Sequence, residues 1–429
     1  MRLIKGPQIK TFINSLRQRA SLNDRKGLQD IVGRIISDVR KNGNKAVKKY
    51  TEKFDSVKLK KLSIDKKEIE TASKKAGKEF LNALKLSAGR IRTFHEFQKE
   101  KPWYYSENRV ILGCLVKPLE RVGVYVPGGK AFYPSSVLMN VIPAQIAGVR
   151  EIALCVPMPE GGINPQTAAA IKLLGLKEVY RIGGAQAIAA MAYGTETIRR
   201  VDKIVGPGNI YVSTAKKMVF GDVGIDMIAG PSEILIIADK TANPSFIAAD
   251  LLGQAEHDDM ASPVLITDSE LLAKKVADEV SLQLKNLKRK NIAKKAIDKY
   301  GAVIIVKNLD AAADIVNQIA PEHLEIMTRE PAGILPKIKN AGAIFLGQWT
   351  PETLGDYAAG PNHTLPTCGT ARFSSPLGVY DFIKRTSLLN FTKEGFKKLS
   401  KAVEIFADTE GLEAHANTIR IRLKSGRAQ

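Results

Sequence analysis

Residues 122–156 read VGVYVPGGKAFYPSSVLMNVIPAQIAGVREIALCV. An apolar run of strand length, Val122–Val126, is cut by Pro127-Gly128-Gly129, an apolar stretch of helix length occupies Ser135–Val149, and a second strand-like run, Glu151–Val156, follows. Two parallel strands need a crossover of about a dozen residues, usually a helix, so strand, glycine turn, helix and strand in succession predict a parallel sheet. The beat recurs downstream at Glu178–Ile182, Lys203–Val205, Ile234–Ala238, Val264–Thr267, Ala302–Val306, Leu324–Met327 and Ala343–Leu346. Glycine-containing connectors at 127–129, 183–184, 206–208 and 229–230 follow several of these runs. In open α/β sheets ligands bind beyond the carboxyl ends of strands, which is where such loops would lie.

Outside this region the pattern is helical. Ile31, Ile35, Ile36 and Val39 recur at helical spacing until Gly43 interrupts them, and Asp65 with Glu68 is a candidate capping pair for a helix running to Leu81 and Leu84. Asn243 before Pro244 predicts a capped helix running into Gln254-Ala255-Glu256-His257, and the tail beyond residue 390 is again helical. A chain of 429 residues buries enough surface to fold without disulfides, and three cysteines cannot make a disulfide framework, which fits a reducing compartment. Cys114 and Cys155 lie in apolar strand-like runs, where a thiol is inert packing. No apolar run is long enough to span a bilayer, and Met1–Ala20 lacks the apolar core of a secretory signal, so it reads as a helix of a cytoplasmic protein. The net charge is +21, of which residues 1–100 carry +15. Lysine predominates there and aromatics are few, which favours a solvated helical surface over a nucleic-acid reader.

Four of the five histidines lie beyond residue 250, beside carboxylates or amides. Gln254 and His257, three apart on a helix, share a face and can offer an amide oxygen and an imidazole nitrogen to one ion, with Asp356, His363, His415 and Glu410 as candidates for the remaining ligands. Glu322-His323 pairs a carboxylate with the one side chain that titrates near neutrality, an arrangement suited to proton transfer. Gly206-Pro207-Gly208-Asn209 leads into a helix whose N-terminal amides could face phosphates, although no Gly-x-Gly-x-x-Gly fingerprint is present.

Taken together, Val122-Gly-Val-Tyr-Val-Pro-Gly-Gly129, Ile182-Gly-Gly-Ala-Gln-Ala-Ile-Ala189, Lys203-Ile-Val-Gly-Pro-Gly-Asn209, Gly224-Ile-Asp-Met-Ile-Ala-Gly-Pro-Ser-Glu233, Asp250-Leu-Leu-Gly-Gln-Ala-Glu-His-Asp258, Ala320-Pro-Glu-His-Leu-Glu-Ile326, Leu354-Gly-Asp-Tyr357 and Gly369-Thr-Ala-Arg-Phe-Ser-Ser375 resemble, in order and spacing, the histidinol dehydrogenase family. The resemblance implies oxidation of L-histidinol to L-histidine with two NAD+ through a bound aldehyde, and one Zn2+ per site. It implies zinc ligands at Gln254, His257, Asp356 and His415, the last from the partner subunit of a homodimer with a shared active site. Glu322 and His323 take the acid/base roles, Ser232, Glu410, His323 and the zinc ligands line the substrate pocket, and Tyr125, Gln186 and Asn209 match the family's NAD contacts. The implied fold is α/β, with two incomplete Rossmann-like parallel-sheet lobes and small helical terminal segments. The expected divisions are an N-terminal helical segment 1–25, a first α/β domain of 26–121 with 233–375, a second of 122–232 carrying the NAD loops, and a helical tail 376–429. Two rivals remain: a zinc hydrolase using Gln254, His257 and Asp356, and a nucleic-acid-binding protein motivated by the charge. The first leaves the glycine loops idle, and specific nucleic-acid or membrane partners are not expected.

Overall fold

The computed structural model describes residues 1–19, 27–107, 109–128, 132–159 and 161–425. Ala20, the rest of the expected N-terminal segment to residue 25, Gly129 of the first glycine turn and the last four residues lie outside the described residues. The chain forms two compact units, residues 1–98 with 119–382, and residues 99–118 with 383–429.

The larger unit holds two parallel sheets. One has six strands in the spatial order Arg2–Ile4, Ala302–Ile305, Ser262–Thr267, Glu233–Ala238, His323–Met327 and Ala343–Leu346. The other has five, in the order Glu178–Tyr180, Glu151–Cys155, Arg121–Tyr125, Lys203–Val205 and Gly224–Ile225. Apart from the added strand Arg2–Ile4, both sheets have the same order. The first strand of each lies centrally, the next two extend to one side and the last two to the other. This is the doubly wound pattern with one strand fewer than the six-stranded dinucleotide-binding form, and it places a topological switch point beside the first strand of each sheet.

Burial explains why these strands are continuous apolar runs, because a parallel sheet is covered on both faces. Along Glu233–Ala238, Ile234 and Ile236 point into a core with helices Pro244–Ala255, Glu270–Leu284 and Lys290–Tyr300, while Leu235 and Ile237 face helices Gln8–Arg19 and Leu309–Ile319. On the five-stranded sheet, Val122 and Val124 pack with helices Lys66–Ser73, Lys78–Glu96, Pro134–Ala147 and Pro165–Leu173, and Tyr125, Ala153 and Cys155 pack with helices Leu28–Asp55, Gly184–Tyr193 and Ile210–Val219. Residues 28–96 therefore bury their apolar faces on the five-stranded sheet, rather than on the sheet of residues 233–346 with which the sequence reading grouped them.

Further differences have local causes. The N-terminal segment begins with a strand, Arg2–Ile4, before its helix. Gly43, at φ 49° and ψ −130°, breaks the helical geometry within Leu28–Asp55 as the sequence predicts, and a second helical stretch follows it to Asp55. Asp65 occupies the cap position of helix Lys66–Ser73, but its side chain makes no capping bond, and Gly77, at φ 78°, separates this helix from Lys78–Glu96. The smaller unit is not wholly helical. Ile383–Phe391 pairs antiparallel with Val110–Pro118, which pairs with Trp103–Glu107, and helices Lys393–Thr409 and Glu413–Ser425 complete it. Among the described residues no helix is long and apolar enough to cross a membrane.

Candidate active site

The Asn243 carboxamide accepts the backbone N–H of Ser245 at 3.0 Å, which starts helix Pro244–Ala255 as the Asn-Pro signal predicts. The helix ends at Ala255, so Gln254 sits in its last turn and His257 just beyond, with its N–H donating to the Gln254 carbonyl at 3.2 Å. Gln254 is fully buried and His257 is exposed. Across from Gln254, at the start of a central strand, lies the buried His323. Its Nδ1 is 2.9 Å from the Glu233 carbonyl and 3.1 Å from the Gln254 Nε2 position. A carbonyl can only accept, so Nδ1 carries the proton and Nε2 keeps the lone pair. Among the described residues that Nε2 has no hydrogen-bond partner, and neither does the buried Oε1 of Gln254.

Carboxylates surround this imidazole. Glu352 Oε1 is 3.7 Å and Asp356 Oδ1 is 3.9 Å from Nε2, both from the short helix Glu352–Tyr357, and Glu322 Oε2 is 3.8 Å from Nδ1. Glu322 also accepts the backbone N–H of Glu233 at 2.9 Å. Burial holds the His323 pKa below its ordinary value, against the opposing pull of Asp356, so the ring is a neutral base. Burial, reinforced by Asp356, Glu322, Glu325 and Asp250, pushes Glu352 well above the usual carboxylate range. A cation in this cluster would relieve that repulsion. One ligand atom each from His323, Glu352 and Asp356 lies within 4.8 Å of the others, close enough for a common ion. These nitrogen and oxygen donors are of the kind that suits Zn2+, and the amide of Gln254 lies against the same imidazole.

The structure thus brings together Gln254, Asp356, Glu322 and His323 from the expected set. His257 lies near enough that its charge would lower His323 and His363. Ser232 is half-buried immediately before the strand carrying Glu233, and its carbonyl accepts the Ser262 N–H at 3.0 Å. Glu410 and His415 belong to the smaller unit, Glu410 capping the end of helix Lys393–Thr409 and His415 in the first turn of Glu413–Ser425, both exposed. Glu352 escaped the sequence reading, although its spacing of four from Asp356 on a helix was a usable signal. His363 stood among the metal candidates. Its Nδ1 lies 3.0 Å from the Asp356 carbonyl and its Nε2 3.2 Å from Ser136 Oγ, so it braces the loop after Asp356.

The cluster occupies the edge of the six-stranded sheet where strands begin, contrary to the expectation for open sheets. Helices end at that edge. The C-terminus of Pro244–Ala255 supplies a partial negative charge, which favours a cation.

The five-stranded sheet follows the ordinary rule. Beyond the carboxyl ends of its strands lies a cavity of about 600 Å³, lined by Tyr125, Gln186 and Asn209 together with Arg34, Lys53 and Asp55 of helix Leu28–Asp55. Helices Gly184–Tyr193 and Ile210–Val219 begin here and direct their positive poles toward it, an arrangement suited to phosphates. Asn209 caps the second helix, accepting the N–H groups of Tyr211 and Val212 at 3.0 and 3.1 Å. Gln186 Oε1 is buried and has no hydrogen-bond partner among the described residues. The loop is drawn tight at Gly206, where φ is +112° and a Cβ would stand 2.0 Å from the Tyr125 carbonyl oxygen. Arg34, Lys53 and Asp55 left no sequence signal, because they reach the cavity from a helix remote in sequence.

A family model described as "Histidinol dehydrogenase" matches residues 17–423. The chain is 52% identical over 402 residues to histidinol dehydrogenase of Syntrophotalea carbinolica, covering 93% of each, and 54% identical over 401 residues to that of Geobacter sulfurreducens, covering 92% of this chain and 94% of the relative. The crystal structure of histidinol dehydrogenase from Elizabethkingia anophelis superposes with a TM-score of 0.94 at 39% identity, over 100% of this chain and 99% of that one. The matching order of strands, the converging donors and these likenesses agree: the chain belongs to the histidinol dehydrogenase family.

Proposed function

We propose that this protein oxidises L-histidinol to L-histidine with two NAD+ through an aldehyde retained in the site, completing histidine biosynthesis in the cytoplasm. Beyond family membership, the carrying observation is the buried His323 Nε2, 3.7 Å from Glu352 Oε1 and 3.9 Å from Asp356 Oδ1, with the Gln254 side chain against the same imidazole. Gln254, His257 and Asp356 would hold one zinc ion with His415 of a second copy, which leaves His323 Nε2 uncoordinated and able to act as a base, and Ser232 and Glu410 would help line the substrate pocket. Zinc, when bound, supplies a Lewis-acidic anchor for the imidazole and amine nitrogens of histidinol, and NAD supplies the electron acceptor.

The protein's own groups manage protons and water. His323, neutral and oriented by its Nδ1–H bond to the Glu233 carbonyl, takes the hydroxyl proton as hydride departs. A free carbonyl has no hydride to give, so the aldehyde must be hydrated before the second oxidation. Glu322, fixed against the Glu233 N–H, activates that water, and His323 then deprotonates the hydrate. Tyr125, Gln186 and Asn209 would hold NAD in the cavity at the five-stranded sheet, with helix N-termini toward its phosphates.

Two features support a homodimer with a shared site. His415 and Glu410 are solvent-exposed on the smaller unit, and the single chain leaves Trp103, Tyr104, Tyr105, Leu389 and Phe406 of that unit at least half exposed. Histidinol and NAD+ added to the purified protein should yield NADH, a chelator should stop the reaction, and Zn2+ should restore it. A hydrolase would yield no NADH.

A further inference from the structure

Strands Glu233–Ala238 and His323–Met327 pair in parallel with His323 beside Ile234, which sets Glu233 next to Glu322 where both strands begin. The Glu233 backbone serves both members of the acid/base pair. Its N–H donates to Glu322 Oε2 at 2.9 Å, and its carbonyl accepts the His323 Nδ1–H at 2.9 Å. A shift of this one residue would therefore displace both side chains together. Glu233 is the first residue of its strand, so its place depends on the loop that delivers it.

That loop, residues 229–232, is fastened against a second loop, residues 366–369. The Gly230 N–H donates to Thr367 Oγ1 at 2.6 Å, the Cys368 thiol lies 3.9 Å from the Pro231 carbonyl, and the Cys368 N–H donates to Glu233 Oε2 at 3.2 Å. Thr367 and Glu233 are both buried, and the loops approach so closely that a Cβ on Gly230 would collide with the Cys368 sulfur. Cys368 and Gly369 take left-handed φ values of 56° and 78°, a conformation that glycine adopts freely and cysteine rarely. Strain of this kind persists only where surrounding contacts hold it, and here the contacts to residues 230–233 do so.

We propose that Glu233 is a positioning residue: its carboxylate, tied to the Cys368 N–H, fixes the backbone that orients Glu322 and His323, and so sets the rate of both oxidations. The proposal rests on the acid/base reading above. It requires no contact between the Glu233 side chain and substrate, metal or cofactor.

The test is the single-turnover rate of NADH formation by the full-length enzyme in saturating Zn2+, substrate and NAD+, started from histidinol and from histidinal, with circular dichroism and NADH affinity recorded in parallel. Glu233→Gln keeps an oxygen for the Cys368 N–H and should stay within about threefold of the parent from either substrate. Glu233→Leu removes that acceptor and should slow both reactions at least about tenfold, the scale on which misplaced reacting groups lose rate, while the dichroism spectrum and NADH affinity are retained. If Glu233→Leu does not fold, Thr367→Val, which removes the acceptor of the Gly230 N–H, should slow both reactions while Thr367→Ser restores them. Parental rates in the folded leucine variant, or in the valine variant if that alone folds, overturn the proposal. So do equal losses in the leucine and glutamine variants, or a slowing matched by a loss of NADH affinity. His323→Gln, run in the same series, separates the two readings: parental rates in that variant overturn the acid/base reading, and the positioning role with it.

Discussion

Glu322→Gln separates the two oxidations. The substituted side chain keeps its size and an oxygen that can accept the Glu233 N–H now bonded at 2.9 Å, so folding loses only the difference between a charge-assisted and a neutral hydrogen bond, about 1 kcal/mol. Removing a general base costs about 10²–10⁴ in rate, or roughly 3–5 kcal/mol of barrier, so chemistry should suffer far more than stability. The loss should fall on one half only. Hydride departure from the alcohol needs His323 and no activated water, whereas the aldehyde must be hydrated before it can react. Single-turnover stopped-flow measurement of NADH, started from histidinol in one series and histidinal in the other, should show the first reaction within about threefold of the parent and the second slowed about 100-fold or more. His323→Gln should slow both. Equal losses from the two substrates in Glu322→Gln would refute the assignment of water activation to Glu322.

Lys216 and Asp226 form an ion pair with side chains only 2% and 1% exposed, and they clasp Gly206 from both sides: Lys216 Nζ donates to its carbonyl at 2.9 Å, and Asp226 accepts its N–H at 2.8 Å. Lys216→Met should lower unfolding free energy by about 3–5 kcal/mol, seen in urea titration, and raise the KM for NAD+. Gly206→Ala should be worse tolerated, since its Cβ collides with the Tyr125 backbone; soluble yield and thermal midpoint check this. Cys155 is buried and its thiol is pushed far up by burial, so Cys155→Ala should retain kcat; a loss of about 100-fold would point to thiol chemistry. Arg121, bonded to Glu178 and Glu151, holds Glu178 down at about 2. A depressed carboxyl contributes stability above its unfolded pKa and loses it as pH falls through the folded value, so Arg121→Met should move the acid-unfolding midpoint upward.

Both parallel sheets were legible because strands covered on two faces must be apolar throughout, and runs such as Ile234–Ala238 and Val264–Thr267 announce themselves. The smaller unit was not, because Trp103–Glu107 is exposed along its whole length and Ile383–Phe391 mixes Lys, Arg, Thr, Ser and Asn with apolar residues, so neither carries a buried-strand pattern. The three-residue strand Arg2–Ile4 owes its pairing to Ala302–Ile304, a partner some 300 residues away that no local pattern can reveal. In the site, Gln254, His323 and Asp356 were visible as a motif set, but their convergence depends on a helix end meeting a strand start. Glu352 looked like an ordinary charged residue, and only the fold sets its Oε1 3.7 Å from His323 Nε2.

The most direct test of the account is the ratio of NADH formed to histidinol consumed at completion. Four-electron oxidation within one site requires two NADH and one histidine for each histidinol. One NADH with free histidinal accumulating, or consumption of histidinol without NADH, would contradict it.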